Sequence, residues 1–504
     1  MLHENIFKNI SEVYMKYIKT ITIKFNLSYL VVLFSISCFA QDFKTVSVEN
    51  NYKDWGWNNV HIAKNKYISL AVVPDAGGRI LEYNLGEVPS LWLNPKLKGK
   101  TFPATDEVKM KEWRNFGGYR LVPIPVENCS VDKNGNKGKR WPPPAIIGDA
   151  KYDVAIRENK LGHQTIEVKS GVQQLPVPKF FGNKGFVYPN KIEEELQYSR
   201  SLYIEPHSSL VYIDHTLKNV GETKVKRGLK ISSQHVSETK RGMHDGENYV
   251  AYIPFDENLK LPNGKQFEVT TNPDLRWQYL NRNRFKLDKN NPEHIEKYYN
   301  HGTNWKGEVA PGIYEVEYDY NQMAGFHIIA SDSWLCYVNK KTNTAFVKIM
   351  EPYNPQLEYD HGLNNAIFCS GLSEGYIETE VMTPLYDLAP NESFNYREIH
   401  GAAKIENAPI LNVNLAGVTT HKMTFDLKLN KVTGTYGVFI EGRAILRLLD
   451  ASGNVIKDIK KDMVNPLKSF SFEAFLRDFI KVKSCELYIE DVNGKLNLLD
   501  SYSL

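Results

Sequence analysis

The chain has 504 residues, of which 42% are hydrophobic, 12% aromatic and 24% charged, a balance that excludes a largely disordered protein and allows roughly two to four domains. A formal net charge of +3 and a pI near 8.3 are too mild to imply nucleic acid, although clustered bases would still permit an anionic ligand. Twenty-nine Tyr and 23 Phe, with many Val, Ile and Thr and turn residues at short intervals, point to an all-β chain.

The apolar run Leu27 to Ala40 follows Lys16, Lys19 and Lys24 and ends in Cys38-Phe39-Ala40. It is short for a bilayer span and has the small-x-small end of a secretory signal, so residues 1–40 read as a signal peptide, with Met15 an alternative start. A secreted or periplasmic protein follows, with no membrane span after signal removal. A lipid anchor on Cys38 is the weaker reading, because Ser35 stands where a bulky apolar residue is expected. The other cysteines, Cys129, Cys336, Cys369 and Cys485, lack metal-type spacing; one disulfide or none is expected.

From Thr45 the pattern is one of short strands. Tyr67 to Val73, the turn Pro74 to Gly78 and Arg79 to Tyr83 make a hairpin, and Gly77-Gly78 reads as its turn rather than a phosphate loop. Trp113 to Pro144 joins aromatics (Trp113, Phe116, Tyr119, Trp141), bases (Arg114, Arg120, Lys139, Arg140) and Gly117-Gly118 in a stretch that looks too rich in Gly and Pro for a central strand. It reads as a ligand-holding loop or, equally, as an aromatic cap on a β-core. Within it Asp132 to Asn136 resembles half a calcium loop, but no Glu completes it and a turn is expected.

Tyr152 to Ile156, Gln164 to Val168, Ile192 to Ile204 and Leu210 to Asn219 continue as an antiparallel meander. Val225 to Ser233 forms a strand that carries Gln234 and His235 to its end. The polar stretch Trp277 to Trp305 is an excursion, and strands resume from Gly312 to His400. Beyond a linker near Lys404 to Asn412, Met423 to Leu429, Gly437 to Leu448, Val455 to Ile459 and Cys485 to Ile489 suggest a small β-sandwich. The expected plan is a main body over 41–404 and an accessory sandwich over 405–504.

Four motifs carry a family resemblance: Val72 to Gly86, Asn115 to Pro123 with Arg140 to Pro144, Leu217 to Glu222, and Tyr376 to Phe394. Together they resemble the galactose-mutarotase-like (aldose-1-epimerase) superfamily over about Val46 to Ile405, and more closely a poorly characterised bacterial group within it. The resemblance implies an antiparallel β-supersandwich that binds carbohydrate on a concave face. It implies Glu378, in Glu378-Thr379-Glu380, as counterpart of the family's catalytic Glu, and His235 as counterpart of a catalytic His. The Asn-Arg segment and second-histidine motif of sugar mutarotases are not visible, and the Asn115 to Pro123 and Arg140 to Pro144 motifs stand in that part of the chain.

An exported sugar-binding fold with bases and aromatics in one loop suggests an anionic, uronate-containing and sulfated polysaccharide of the ulvan or alginate kind. The matching reaction is β-elimination by a polysaccharide lyase, which needs a carboxylate neutraliser, a base and an acid. Asn115 and Arg120 suit the first role, His235 the second and Tyr119 the third. Trp113, Trp141, Arg140, Arg241, His244, Tyr359, His361 and Glu378 are candidate substrate contacts. Each has an ordinary alternative: His235 as a core hydrogen-bonder, Arg241 and His244 as a solvated turn, Tyr359 to His361 as a polar turn. Glu378 and Glu380 share a sheet face, and that face decides whether they act or are merely solvated. No cofactor is required, and Ca²⁺ is the alternative for neutralising the carboxylate. No facing pair of carboxylates marks a glycoside hydrolase. The rival readings are an aldose-1-epimerase-type isomerase using His235 and Glu378, and a non-catalytic glycan-binding protein.

Overall fold

In a computed structural model, the protein is described over residues 45–109, 112–139, 143–237, 246–270, 290–292, 305–318, 324–371, 374–476 and 481–504. The signal segment 1–40 with Cys38, the candidates Arg140, Trp141, Arg241 and His244, and most of the polar stretch 277–305 lie outside the described residues.

Two wide antiparallel sheets form the body. Among the described residues the first has 12 strands, running from Val46–Glu49 through Val60–Lys64, Ile68–Val73, Arg79–Leu85, Tyr119–Ile124, Val225–Val236, Tyr376–Met382, Asn365–Cys369 and Ala324–Ile328 to Phe267–Thr270. The second has 11, in the order Trp305–Ala310, Ile313–Glu317, Tyr249–Pro254, Trp334–Asn339, Thr344–Ile349, Ser393–Lys404, Val211–Asn219, Glu194–Ile204, Gln164–Lys169, Asp153–Glu158. The protein is thus all-β and antiparallel, as the strand periodicity predicts. Alternation decides which residues face inward: in Val211–Asn219 every odd-numbered residue is buried and every even one half-buried. The inner faces of both sheets meet in one apolar core that includes Leu70, Leu121, Ile231, Ile377, Leu202, Ile213 and Phe346.

Two sequence expectations change. Tyr119–Ile124 is a strand inside the first sheet, paired with Gly228 to Ser233. Gly117 and Gly118, at φ +89° and +69°, let the chain pass tightly under Trp92 and Ile80 into that strand. Pro123 is tolerated because the other neighbour, Arg79–Leu85, pairs with this strand only at Tyr119, so the missing N–H falls on an unpaired edge. Second, the Val225–Val236 strand runs past Ser233, so His235 lies within it rather than beyond its end.

The inner surface also holds a polar strip. Glu398 sits fully buried, accepting a 2.5 Å hydrogen bond from Tyr119 Oη, with His215 and His400 each 3.4 Å away. Burial works to raise its pKa, but the Lys348 ammonium and the two imidazoles outweigh this and hold Glu398 well below the usual carboxylate range. Lys348 Nζ donates to the carbonyls of Ile231 (3.3 Å) and Thr379 (3.0 Å). His235 is held in the same interior between Ser90 Oγ (2.8 Å) and Thr379 Oγ1 (2.8 Å), stacked on Tyr337 with ring centroids 4.3 Å apart.

Residues 412–503 supply two four-stranded sheets, Asn412–Asn414, Gly417–Asp426, Lys431–Val438, Phe470–Phe475 and Val455–Val464, Gly442–Leu449, Ser484–Asp491, Leu496–Ser503. They enclose their own apolar cluster, including Val432, Tyr436, Leu446 and Leu487. The single strand expected over Gly437 to Leu448 is in fact two, because the chain leaves one sheet at Val438 and enters the other at Gly442. Between them Phe439 is fully buried, packing with Trp334, Val347, Ala403 and Val418 where the sandwich covers the second sheet. Cys129, Cys336, Cys369 and Cys485 are buried, and among the described residues they form no disulfide.

Phe439→Ala should lower unfolding stability by about 3–5 kcal/mol in urea titration, the usual cost of emptying a buried aromatic site. Burial, with the Lys348 charge second, pushes the His235 pKa well below its ordinary value, so stability from the neutral imidazole is present at high pH and lost as pH falls below about 6.5. His235→Gln should therefore be less stable than wild type near pH 8, with the gap narrowing on acidification; parallel stability profiles would contradict this.

Candidate functional site

The outer face of the first sheet is where polar groups gather. The ladder pairs Arg120 with Ser232, Ser232 with Glu380, Glu380 with Ala366, Ala366 with His327 and His327 with Glu268. These six residues form one row across six strands. Ala366 is the small member, fully buried in an apolar cluster with Ile124, Leu363 and Met382, and it spaces Glu380 and His327 on strands roughly 10 Å apart at two interstrand spacings. A cleft of about 230 Å³ opens there, lined by Glu380, His327, Lys230, Glu268 and Met382 with Glu127, Asp360 and His361.

Glu378 and Glu380 lie two residues apart on the Tyr376–Met382 strand, so both project to this outer side, while Ile377, Thr379 and Val381 enter the core. Their surroundings drive them apart. Glu378 accepts hydrogen bonds from Gln234 Nε2 (3.1 Å) and Arg120 (3.3 Å), yet burial dominates and its pKa is raised. For Glu380 burial is again the largest influence, but Lys230 Nζ at 2.7 Å outweighs it and the pKa is lowered; Ser232 Oγ donates at 3.0 Å. The two neighbouring carboxyls thus have opposite tendencies, Glu378 toward the protonated form and Glu380 toward the anion.

The sequence candidates divide between the two faces. Arg120 and Glu378 meet on the outer side, with Trp113 under the guanidinium at 5.1 Å and Asn115 Nδ2 3.4 Å from the hydroxyl of Tyr376, the residue two before Glu378. Tyr119 and His235 point the other way, into the interior described above, and do not join them. Tyr119 bonds to Glu398 and His235 stacks on Tyr337, so the acid and base expected for β-elimination both face the interior between the sheets. Alternation is the reason: Tyr119 and Arg120 are consecutive on one strand, as are Gln234 and His235.

Tyr359 is buried, bridges Pro384, stacks on Tyr353 at 4.8 Å and accepts the Asn354 N–H (3.1 Å), so it props a turn. His361 is exposed at the cleft rim, its Nε2 3.1 Å from Glu127 Oε1 and 3.8 Å from Asp360 Oδ1. One donor atom from each of Glu127, Asp360 and His361 falls within 4.8 Å of the others, which makes them the group suited to a divalent ion among the described residues. Asp132 to Asn136 is a turn in which Asp132 Oδ1 accepts the Asn134 and Asn136 N–H groups.

His327, Lys230 and Glu127 are cleft residues that the sequence reading did not single out. His327 had a usable signal, being the one polar side chain within the apolar run Ala324 to Ala330. Among the described residues no helix is long and apolar enough to cross a membrane.

No family model matches the chain, and no curated protein sequence matches it. Solved structures similar to it are galactose mutarotase-like and aldose 1-epimerase proteins. A galactose mutarotase-like protein from Clostridium acetobutylicum is 14% identical with a TM-score of 0.40, the match covering 72% of this chain and 98% of that one. One from Lactobacillus casei is 9% identical with a TM-score of 0.41, covering 68% and 100%. A putative aldose 1-epimerase from Escherichia coli K12 is 12% identical with a TM-score of 0.37, covering 69% and 99%.

Proposed function

We propose that this is a sugar-processing enzyme that moves protons on a bound sugar in the outer-face cleft, in the manner of an aldose epimerase. Glu380 is the anionic acceptor, His327 the partner across the ring, and Glu378 the neighbouring carboxyl that stores a proton. The observation that carries this is the register row that brings Glu380 and His327 to line one cleft of about 230 Å³. That volume is below the ~300–1,000 Å³ of pockets for drug-sized ligands and suits a single ring. Positioned acid–base groups contribute about 10²–10⁴-fold to rate. The sugar itself is inferred from the motifs of the resemblance and the export signal, which also make a secreted or periplasmic setting part of the proposal.

β-elimination on an anionic polysaccharide is the second reading. It is favoured by Lys230 and Arg120 on the outer face and by the Glu127, Asp360, His361 group, which could hold a divalent ion against a uronate carboxylate. In this reading Glu380 or His327 takes the base role in place of His235.

Polarimetry of a fresh aldose anomer should show faster equilibration with the protein, and Glu380→Gln should reduce the rate about 10²–10⁴-fold. Absence of acceleration across aldoses, with ultraviolet absorbance of an unsaturated product growing on uronate polymers, would replace the first reading with the second.

A further inference from the structure

The outer face of the second sheet changes character along its width. Over Trp334–Asn339, Thr344–Ile349 and the end of Ser393–Lys404 it is apolar and covered by the C-terminal sandwich through Phe439. Over Val211–Asn219, Glu194–Ile204, Gln164–Lys169 and Asp153–Glu158 it is polar and open, and forms a trough of about 530 Å³, more than twice the volume of the Glu380 cleft. We infer that this trough is a second carbohydrate site, built for an uncharged, hydroxyl-rich oligosaccharide chain. The inference shares with the proposed function only the premise that the protein handles sugars; the two sites have no residue in common.

The floor is made of small or amide side chains, Ala155, Gln197, Ser199, Ser201 and Thr216. Ser199 and Ser201 have no side-chain hydrogen bond among the described residues, so their hydroxyls can donate and accept. The charges above the floor are largely matched across the strands: Asp153 lies opposite Lys169, Arg157 Nε donates to Glu167 at 3.0 Å, and Arg397 grips Asp214 with bonds of 2.6 and 2.8 Å, while Lys218 adds one further cation. A strongly anionic or cationic ligand would find most of these charges already matched, whereas hydroxyl groups can bond to both signs. At one end, two residues along the strands from Ser201 and Asp214, Tyr203 and Tyr212 are register partners with rings stacked at 4.7 Å and 9°, and His163 stacks on Tyr203 at 5.2 Å. Tyr203 is buried by these stacks and lies outside the trough's lining, so the hydroxyl and amide groups of the floor carry the recognition. The site is extended where the Glu380 cleft is compact, so it suits a chain rather than a single ring.

Native affinity electrophoresis tests this, with soluble starch, xyloglucan or galactomannan cast in the gel and pectate as the anionic control. At least one neutral polymer should slow the wild-type protein twofold or more, while pectate does not. Ser201→Trp, which fills the trough from an outward strand position, should abolish the retardation, and Glu380→Gln should keep it. Ser199→Arg serves as a second variant should Ser201→Trp melt earlier than wild type. No retardation by any neutral polymer, retardation unchanged in a folded trough variant, or retardation lost in Glu380→Gln would each overturn the inference.

Discussion

The architecture depends on one constraint, the strict alternation of side chains along strands buried on one side and polar on the other. In Tyr376–Met382 it sends Ile377, Thr379 and Val381 into the core and Glu378 and Glu380 outward. A slip of one residue would turn both carboxyls into the core and two apolar side chains and Thr379 outward. Lys348 reinforces the register from beneath, because its ammonium bonds to carbonyls on both Val225–Val236 and Tyr376–Met382, the two strands that carry Ser232, Gln234, Glu378 and Glu380. That ammonium also balances the Glu398 carboxylate in an otherwise dry interior. Polar chemistry is therefore present on both sides of the first sheet, and the outer side opens to the Glu380 cleft.

This division explains which parts of the molecule were legible in the sequence. The strands were, since Val211–Asn219 alternates throughout and Glu194–Ile204 does so as far as Leu202, and their turns are marked by Gly, Pro and Asn. The shared face of Glu378 and Glu380 was also legible from period two. Which of the two faces was the open one was not, because both sides of Tyr119–Ile124 carry groups able to do chemistry, and Tyr119 and His235 look as reactive in sequence as Arg120 and Gln234. Their place in the interior follows from pairing with strands more than a hundred residues away: Tyr119 meets Glu398, and His235 meets Thr379. The Trp113 to Pro144 stretch misled for a local reason. Its glycines and prolines suggested a loop, yet the glycines shape the entry to a strand and Pro123 sits on an edge that needs no N–H.

The two sheets also use their outer faces differently. The first keeps Glu380, Lys230 and His327 around a small cleft; the second hands its apolar half to the C-terminal sandwich and leaves a neutralised polar trough. Phe439 is the hinge of that arrangement in energetic terms, for it lies where sandwich and sheet share one apolar cluster. A chain that processes one sugar ring in a compact pocket and holds a longer polymer elsewhere would combine both surfaces.

The central claim is that sugar is handled on the outer face of the first sheet between Glu380 and His327, and not by the enclosed Tyr119 and His235. A crystal structure of the protein soaked with an aldohexose tests it most directly. The account predicts a ring in that cleft with one hydroxyl within hydrogen-bond reach of the Glu380 carboxylate and another near the His327 imidazole. A sugar bound elsewhere on the body, with that cleft filled only by water, would contradict it.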